Sequence, residues 1–251
     1  PLVSLSSSFD FFSQISFDML AASFVHDAEI TISNGTLTHK LKEYEIPLAG
    51  DYKLYYYSID SADMATAFKG EFGGAYTMTI KSGGKDYNAA TTIPYLVKRI
   101  ESLSWETVKN QPDSGLVILY GETTDPPGLG NYIRYFTSTN DGPYFPGLNS
   151  VFDDQIVDGT HYQVQIEKGV NRNETIDFDD YSFFHRGDSV TVKMTNIDKA
   201  NFDFWRTIEY SYQSIGNPFS SPTKVLGNIS NGALGYFGGY AVQYKGYKIP
   251  D

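Results

Sequence analysis

The chain has 251 residues, 41% hydrophobic and 20% charged, with a formal net charge of −11 and a pI near 4.7. That length accommodates one large β domain or two ordinary ones, with a sizeable core in either case. The acidic balance, which no Lys/Arg cluster offsets locally, argues against a nucleic-acid partner, and the lack of cysteine removes disulfides, zinc–thiolate sites and thiol nucleophiles.

The 20 Tyr and 17 Phe, against 2 Trp, favour β structure, because aromatic rings fit a pleated, half-buried surface. No apolar run approaches the roughly 20 residues of a membrane-spanning helix. The opening PLVSLSSSFDFFSQ reads as a strand, with Leu2, Leu5 and Phe9 apolar among serines. It has neither an initiator Met nor a signal-like segment, so a processed or truncated chain is expected.

The next stretches alternate at period 2. In AEITISNGTLTHKL, Ile30 and Ile32 share one face, Thr31 and Ser33 the other, and Asn34-Gly35 signals a hairpin. AGDYKLYYYS is a further strand. DSADMATAFKG contains helix formers and is expected to make a short helical excursion. GGAYTMTIKSGGKDYNAATTIP predicts a hairpin: Tyr76, Met78 and Ile80 line one face, Gly83-Gly84 turns, and Tyr87 and Ala89 return. Pro94 closes the block.

YLVKRIESLSWETVKNQPDSG is expected to be a junction. Beyond it LVILYGETT, NYIRYFTSTN, THYQVQIEKG and DSVTVKMTN read as strands. DPPGLGN, DGPYFPGLNS and NPFSSPTKVLGN read as loops on their Pro, Gly and Ser content. One segment has helical period instead: Phe202, Trp205, Ile208 or Glu209, Tyr212 and Ile215 recur along one face. Asp198 is placed as N-cap, Gly216 as the residue after the C-cap, and Pro218 forbids continuation. The expectation is an all-β chain in two β-sandwich-like parts with one substantial helix at about 199–214. Residues 1–97 would form an immunoglobulin- or transthyretin-like sandwich, and 98–251 a larger β domain.

Motifs that carry chemistry are sparse. The acidic clusters are Asp153, Asp154 and Asp158; Glu174, Asp177, Asp179 and Asp180; and Glu122 with Asp125. None has EF-hand spacing and a solvated acidic face accounts for them, so no metal requirement is expected; Asp177, Asp179 and Asp180 are the first place to look for calcium. His26, His39, His161 and His185 fall in no metal or nucleophile motif, and there is no nucleophile elbow or phosphate loop. A triad assembled in space is still compatible with the sequence, since chain order does not fix one. Arg186–Asp188 reads as a tight turn. Among loop aromatics, Tyr132, Tyr144 and Phe145 are the candidates for contacting a ligand or partner, a peptide or glycan included.

DPPGLGNYIRYF, FDDQIVDG, HRGDSVTVKMTNIDKANFDFWRTIE and NPFSSPTKVLGNISNGALGYFGGYAV occur in that order. Together with GGAYTMTIKSGGKDYNAATTIP near the N-terminus, they make the chain resemble the bacterial lipoprotein family catalogued as domain of unknown function 4249. The resemblance implies a lipid anchor at a lipobox cysteine upstream of Pro1. It also implies the outer membrane, facing the exterior, and association with a TonB-dependent transporter or other surface lipoproteins. It brings no catalytic residue and no cofactor. The expected function is therefore a non-catalytic accessory to nutrient uptake. A structural or adhesive surface protein is the alternative, and a hydrolase with a spatially assembled site a further one. In NGALGYFGGYAV the glycines read as architectural, leaving room for Tyr236, Phe237 and Tyr240 to pack.

Overall fold

A computed structural model describes residues 1–8, 16–48, 52–109, 115–214 and 224–251. Phe9, Ile215, Gly216 and Pro218, invoked above, lie outside the described residues.

The first half follows its alternation. β1 (Leu2–Val3), β2 (Glu29–Ser33), β3 (Thr38–Pro47), β4 (Lys53–Ile59), β5 (Ala75–Ser82) and β6 (Lys85–Thr92) form an antiparallel sheet in the order β1-β4-β3-β2-β5-β6. Ile30, Ile32, Met78, Ile80 and Ala89 point to one core with Leu41 and Tyr57. Each such aliphatic side chain contributes roughly 1.5–3 kcal/mol of burial, which holds register, because a one-residue slip would turn the whole set to solvent. Gly83 and Gly84 both take positive φ, +56° and +72°, in a two-residue turn whose twist matches that of the strands it joins. The Asn34-Gly35 signal marks a hairpin with a longer loop, in which the Asn34 side chain accepts from Thr36 N and Leu37 N. A one-turn-and-a-half helix, α1 (Phe17–Ala22), capped by Ser16, was not anticipated.

Residues 60–70 make turns and no helix. Asp60 Oδ1 accepts from Ala62 N, Asp63 N donates to Asp60 O, and Asp63 Oδ2 takes the Thr66 hydroxyl. These local side-chain and turn bonds compete with a helical ladder and win.

Among the described residues the second half holds two four-stranded sheets. β8 (Leu116–Thr124) takes β7 (Ile100–Thr107), β11 (His161–Ile166) and β12 (Phe184–His185) as antiparallel neighbours. The other sheet has the order β10-β9-β13-β14, from β9 (Tyr132–Thr139), β10 (Phe145–Phe152), β13 (Ser189–Ile197) and β14 (Ala241–Lys248). Val117, Leu119, Phe184, Val190, Val192 and Met194 fill the space between them. Among the described residues the architecture is mostly β, with antiparallel sheets and two helices, consistent with an all-β sandwich-like fold.

Two expectations about connectors need correction. Part of the stretch taken as a junction is strand β7, and most of DGPYFPGLNS is strand β10. β10 lies at a sheet edge, where Pro146 need not donate to a neighbour, and its register with β9 shifts between Pro146 and Val151. An edge strand tolerates the proline and glycine that would exclude a central one.

Helix α2 (Lys199–Gln213) starts where its cap predicts. Asp198 Oδ1 accepts from Asn201 N at 2.9 Å, satisfying an orphan donor of the first turn. Its Oδ2 accepts from Thr91 Oγ1 at 2.7 Å and from Thr92 N, so one carboxylate caps the helix and fastens it to β6. The segment before β14 runs along the same strand: Ser230 N donates to Asn88 O, Asn228 Nδ2 to Ala90 O, and Gly239 N to Thr91 Oγ1. A Cβ at Gly238 would collide with the Asn201 side-chain amide, and one at Gly239 with Ile93. The glycines permit this close passage. Tyr236 packs on Phe204 at 4.5 Å between ring centroids and on Trp205 at 5.2 Å, while Phe237 joins the core of the first sheet.

Candidate functional site

Between the two sheets of the second half lies a cleft of about 730 Å³ roofed by α2. Its walls are Gly121 and Thr123 of β8, Ile133 and Tyr135 of β9, Val151 of β10, and Val164 and Ile166 of β11, with Met194 and Phe202 closing it. Tyr162, Val164 and Ile166 share one face of β11, and Gln163 and Gln165 also reach the lining. Gly121 adds no side chain to a wall that would otherwise be fuller. At the rim Ile156 is 95% exposed, Tyr210 53% and Phe152 42%. A cluster of exposed apolar side chains around an apolar hollow is a feature of binding surfaces, since water disfavours it and nothing structural requires it.

Behind the cleft lies a buried polar network. Glu209 of α2 is 4% exposed; its carboxylate accepts from Ser150 N at 3.0 Å and, through a very short bond, from Ser150 Oγ. Arg134 Nε donates to the same Ser150 Oγ at 3.1 Å, and Arg172 Nη2 stands 3.6 Å from Glu209. The Arg134 guanidinium carbon lies 3.4 Å from the Trp205 ring centroid and 4.7 Å from that of Phe136. Burial pushes the Arg134 guanidinium below its ordinary value, while the Glu209 carboxylate acts against that. Trp205 is half-buried: its face belongs to Arg134. Glu209 faces inward on the stripe where the helical period left Ile208 or Glu209 open.

The structure disperses the aromatic candidates. Tyr132 opens β9 and packs on Phe202 at 4.9 Å, so its ring serves the helix–sheet contact. Tyr144 is 41% exposed and meets Tyr244 edge-on at 5.9 Å, and Phe145 begins β10, paired with Thr137. By register they sit at opposite ends of the β9–β10 hairpin from Tyr132. None of the three lines the cleft.

Acidic residues converge in one place among the described residues: Asp125, Asp154 and Asp158, drawn from two of the sequence clusters. Asp177, Asp179 and Asp180 are not so grouped. Asp177 Oδ1 instead accepts from Asp179 N within its own turn.

Three of the four histidines have side-chain partners. His39 is 1% exposed; Asp60 N donates to its Nε2 at 3.0 Å, so the proton sits on Nδ1, which bonds Thr66 Oγ1 at 2.8 Å. The nitrogen that a general base would need is occupied by a backbone amide. His161 is exposed beside Glu122 and Thr124, and His26 bonds Glu43 at 2.6 Å. Arg186 and Gly187 form a tight turn into β13, where Asp188 Oδ2 accepts from His185 N.

Fold and site together define an all-β, sandwich-like protein with an apolar cleft beneath its longer helix. The chain belongs to the family described as Domain of unknown function (DUF4249), which it matches over residues 1–245. No curated protein and no solved structure matches it.

Proposed function

We propose that this protein is a non-catalytic outer-membrane surface lipoprotein that captures an apolar or aromatic small molecule and passes it to a TonB-dependent transporter. The anchor, the location and the transporter come from the family resemblance. The ligand-holding role is supported by the cleft: about 730 Å³ lies within the range of small-molecule sites, and its walls are mostly hydrocarbon. Ligand burial there contributes about 0.8 kcal/mol per methylene removed from water. Glu209, the buried carboxylate beside it, is engaged by Ser150 N–H and Oγ–H, which supports a structural role for that group over bond-making.

The test is titration of the purified protein with the uncharged fluorophore N-phenyl-1-naphthylamine, with Val164→Trp as the blocking variant. Val164 is 36% exposed on the cleft wall, so an indole there fills the mouth without overpacking the core. Saturable micromolar binding, weakened at least tenfold by Val164→Trp at an unchanged melting temperature, is expected. Absence of saturable binding, or binding indifferent to the variant, would refute the capture role. Pull-down from native outer membranes should recover a TonB-dependent transporter; recovery of the protein alone would favour the adhesive or structural reading.

A further inference from the structure

Beside the cleft, two loops meet around three carboxylates. Residues 126–131 follow β8, and residues 153–160 follow β10. One carboxylate oxygen from each of Asp125, Asp154 and Asp158 lies within 4.8 Å of the other two. A cation about 2.4 Å from each of three oxygens requires them to be no more than about 4.8 Å apart, so the spacing suits a shared ion. Asp154 and Asp158 are oriented by backbone amides: Asp154 Oδ2 accepts from Gly130 N at 2.7 Å and Asn131 N at 2.8 Å, and Asp158 Oδ1 from Gly128 N at 2.6 Å.

Asp125 supplies the second, separate observation. It is wholly buried, and its Oδ2 receives no hydrogen bond. Lys98 Nζ, 1% exposed, lies 2.8 Å from Oδ1. A fully buried carboxylate oxygen without a donor is costly unless something positive faces it. Charge leads to the same conclusion. Three carboxylates against one ammonium leave two negative charges in a region where Asp125 is 0% and Asp154 1% exposed. One divalent cation would balance them.

We propose that Asp125, Asp154 and Asp158 bind a calcium ion that ties the 126–131 loop to the 153–160 loop. The donors are all hard oxygens, and the cluster holds neither histidine nor cysteine, which excludes the usual zinc sets. Asp158 is exposed, so water can complete the six to eight ligands that Ca²⁺ takes. The second loop also carries Ile156 and Val157 to the cleft, so the ion would fix one lip of it. The site stands whether or not the cleft binds a ligand.

The experiment uses the full chain, stripped with EDTA, exchanged into metal-free buffer and titrated with CaCl₂ at constant ionic strength, read by calorimetry and thermal melting. One-site binding is expected, with the melting temperature rising by roughly 5–10 °C at a hundredfold excess over Kd. Asp158→Asn should keep the acceptor for Gly128 N yet weaken Ca²⁺ at least tenfold. The triple variant Asp177→Asn/Asp179→Asn/Asp180→Asn should bind as the parent does. Neither heat nor melting shift at millimolar Ca²⁺, or a shift that Asp158→Asn leaves intact, would overturn the site. An equal response to Mg²⁺, lost in Asp158→Asn, would uphold the site and overturn calcium as its ion. Should Asp158→Asn fail to fold, the titration of the unaltered chain still decides.

Discussion

Removing the Glu209 carboxylate tests the buried network that joins α2 to the β9–β10 hairpin. Glu209→Ala strips the acceptor from Ser150 N–H and from Ser150 Oγ–H, and takes the nearest negative charge from Arg172 and Arg134. An orphaned buried N–H costs about 1–3 kcal/mol, and breaking one side of a buried ion pair about 3–5 kcal/mol. The same carboxylate supplies both, so the costs overlap, and a loss of about 4 kcal/mol is expected. Glu209→Gln keeps an oxygen for Ser150 N–H but loses the charge and the acceptor for Ser150 Oγ–H, so about 2 kcal/mol should go. The double variant Arg134→Met/Glu209→Met removes the buried Arg134 charge together with the carboxylate, leaving only the partly exposed Arg172 without its counter-charge, and should be more stable than Glu209→Ala. Urea unfolding followed by tryptophan fluorescence and far-UV circular dichroism gives these values if the denaturant slope holds constant across the series. A Glu209→Ala midpoint within about 1 kcal/mol of the parent would show that water reaches the network and the low-dielectric reasoning fails.

Trp205→Ala should cost about 3 kcal/mol, the lower end for a large aromatic, because the half-buried indole still supports Arg134, Phe204 and Tyr236. An unchanged urea midpoint in a Trp105→Phe background would refute that placement. Glu43 gives a pH prediction. Burial pushes its carboxyl up, but hydrogen bonds from His26, Asp27 N and Tyr57 outweigh burial and hold it below the usual carboxylate range. Its folded pKa is therefore the lower one, so its contribution is complete above the unfolded value near 4.5 and lost as pH falls through the folded value. Glu43→Gln should flatten the stability–pH curve below about pH 4.5; an acid limb parallel to the parent's would count against it.

What the sequence by itself determined was local. Ile30 with Ile32, and Tyr76 with Met78 and Ile80, declare their strands because the pleat has period 2. Gly83-Gly84 sets its turn, since positive φ at both positions suits few other residues. Asp198 announces the start of α2 three residues before the amide it caps. Edge strand β10 was illegible for the converse reason: proline and glycine argue against a strand until its outer side is known to be unpaired. The second bond of Asp198, to Thr91, spans 107 residues and has no signature in the chain. Glu209 looked like half of an ambiguous stripe until Ser150 and Arg172 were set against it. The cleft needs two sheets and a helix to exist at all, and its Val164 wall reads in sequence as an ordinary alternating strand. Asp125 and Asp154 belonged to separate acidic clusters, and only the packing of one loop against another brought their oxygens within reach of Asp158. Periodicity and capping act over a few residues, so sequence displays them; charge balance and cavity shape depend on which distant segments touch, which the tertiary fold alone decides.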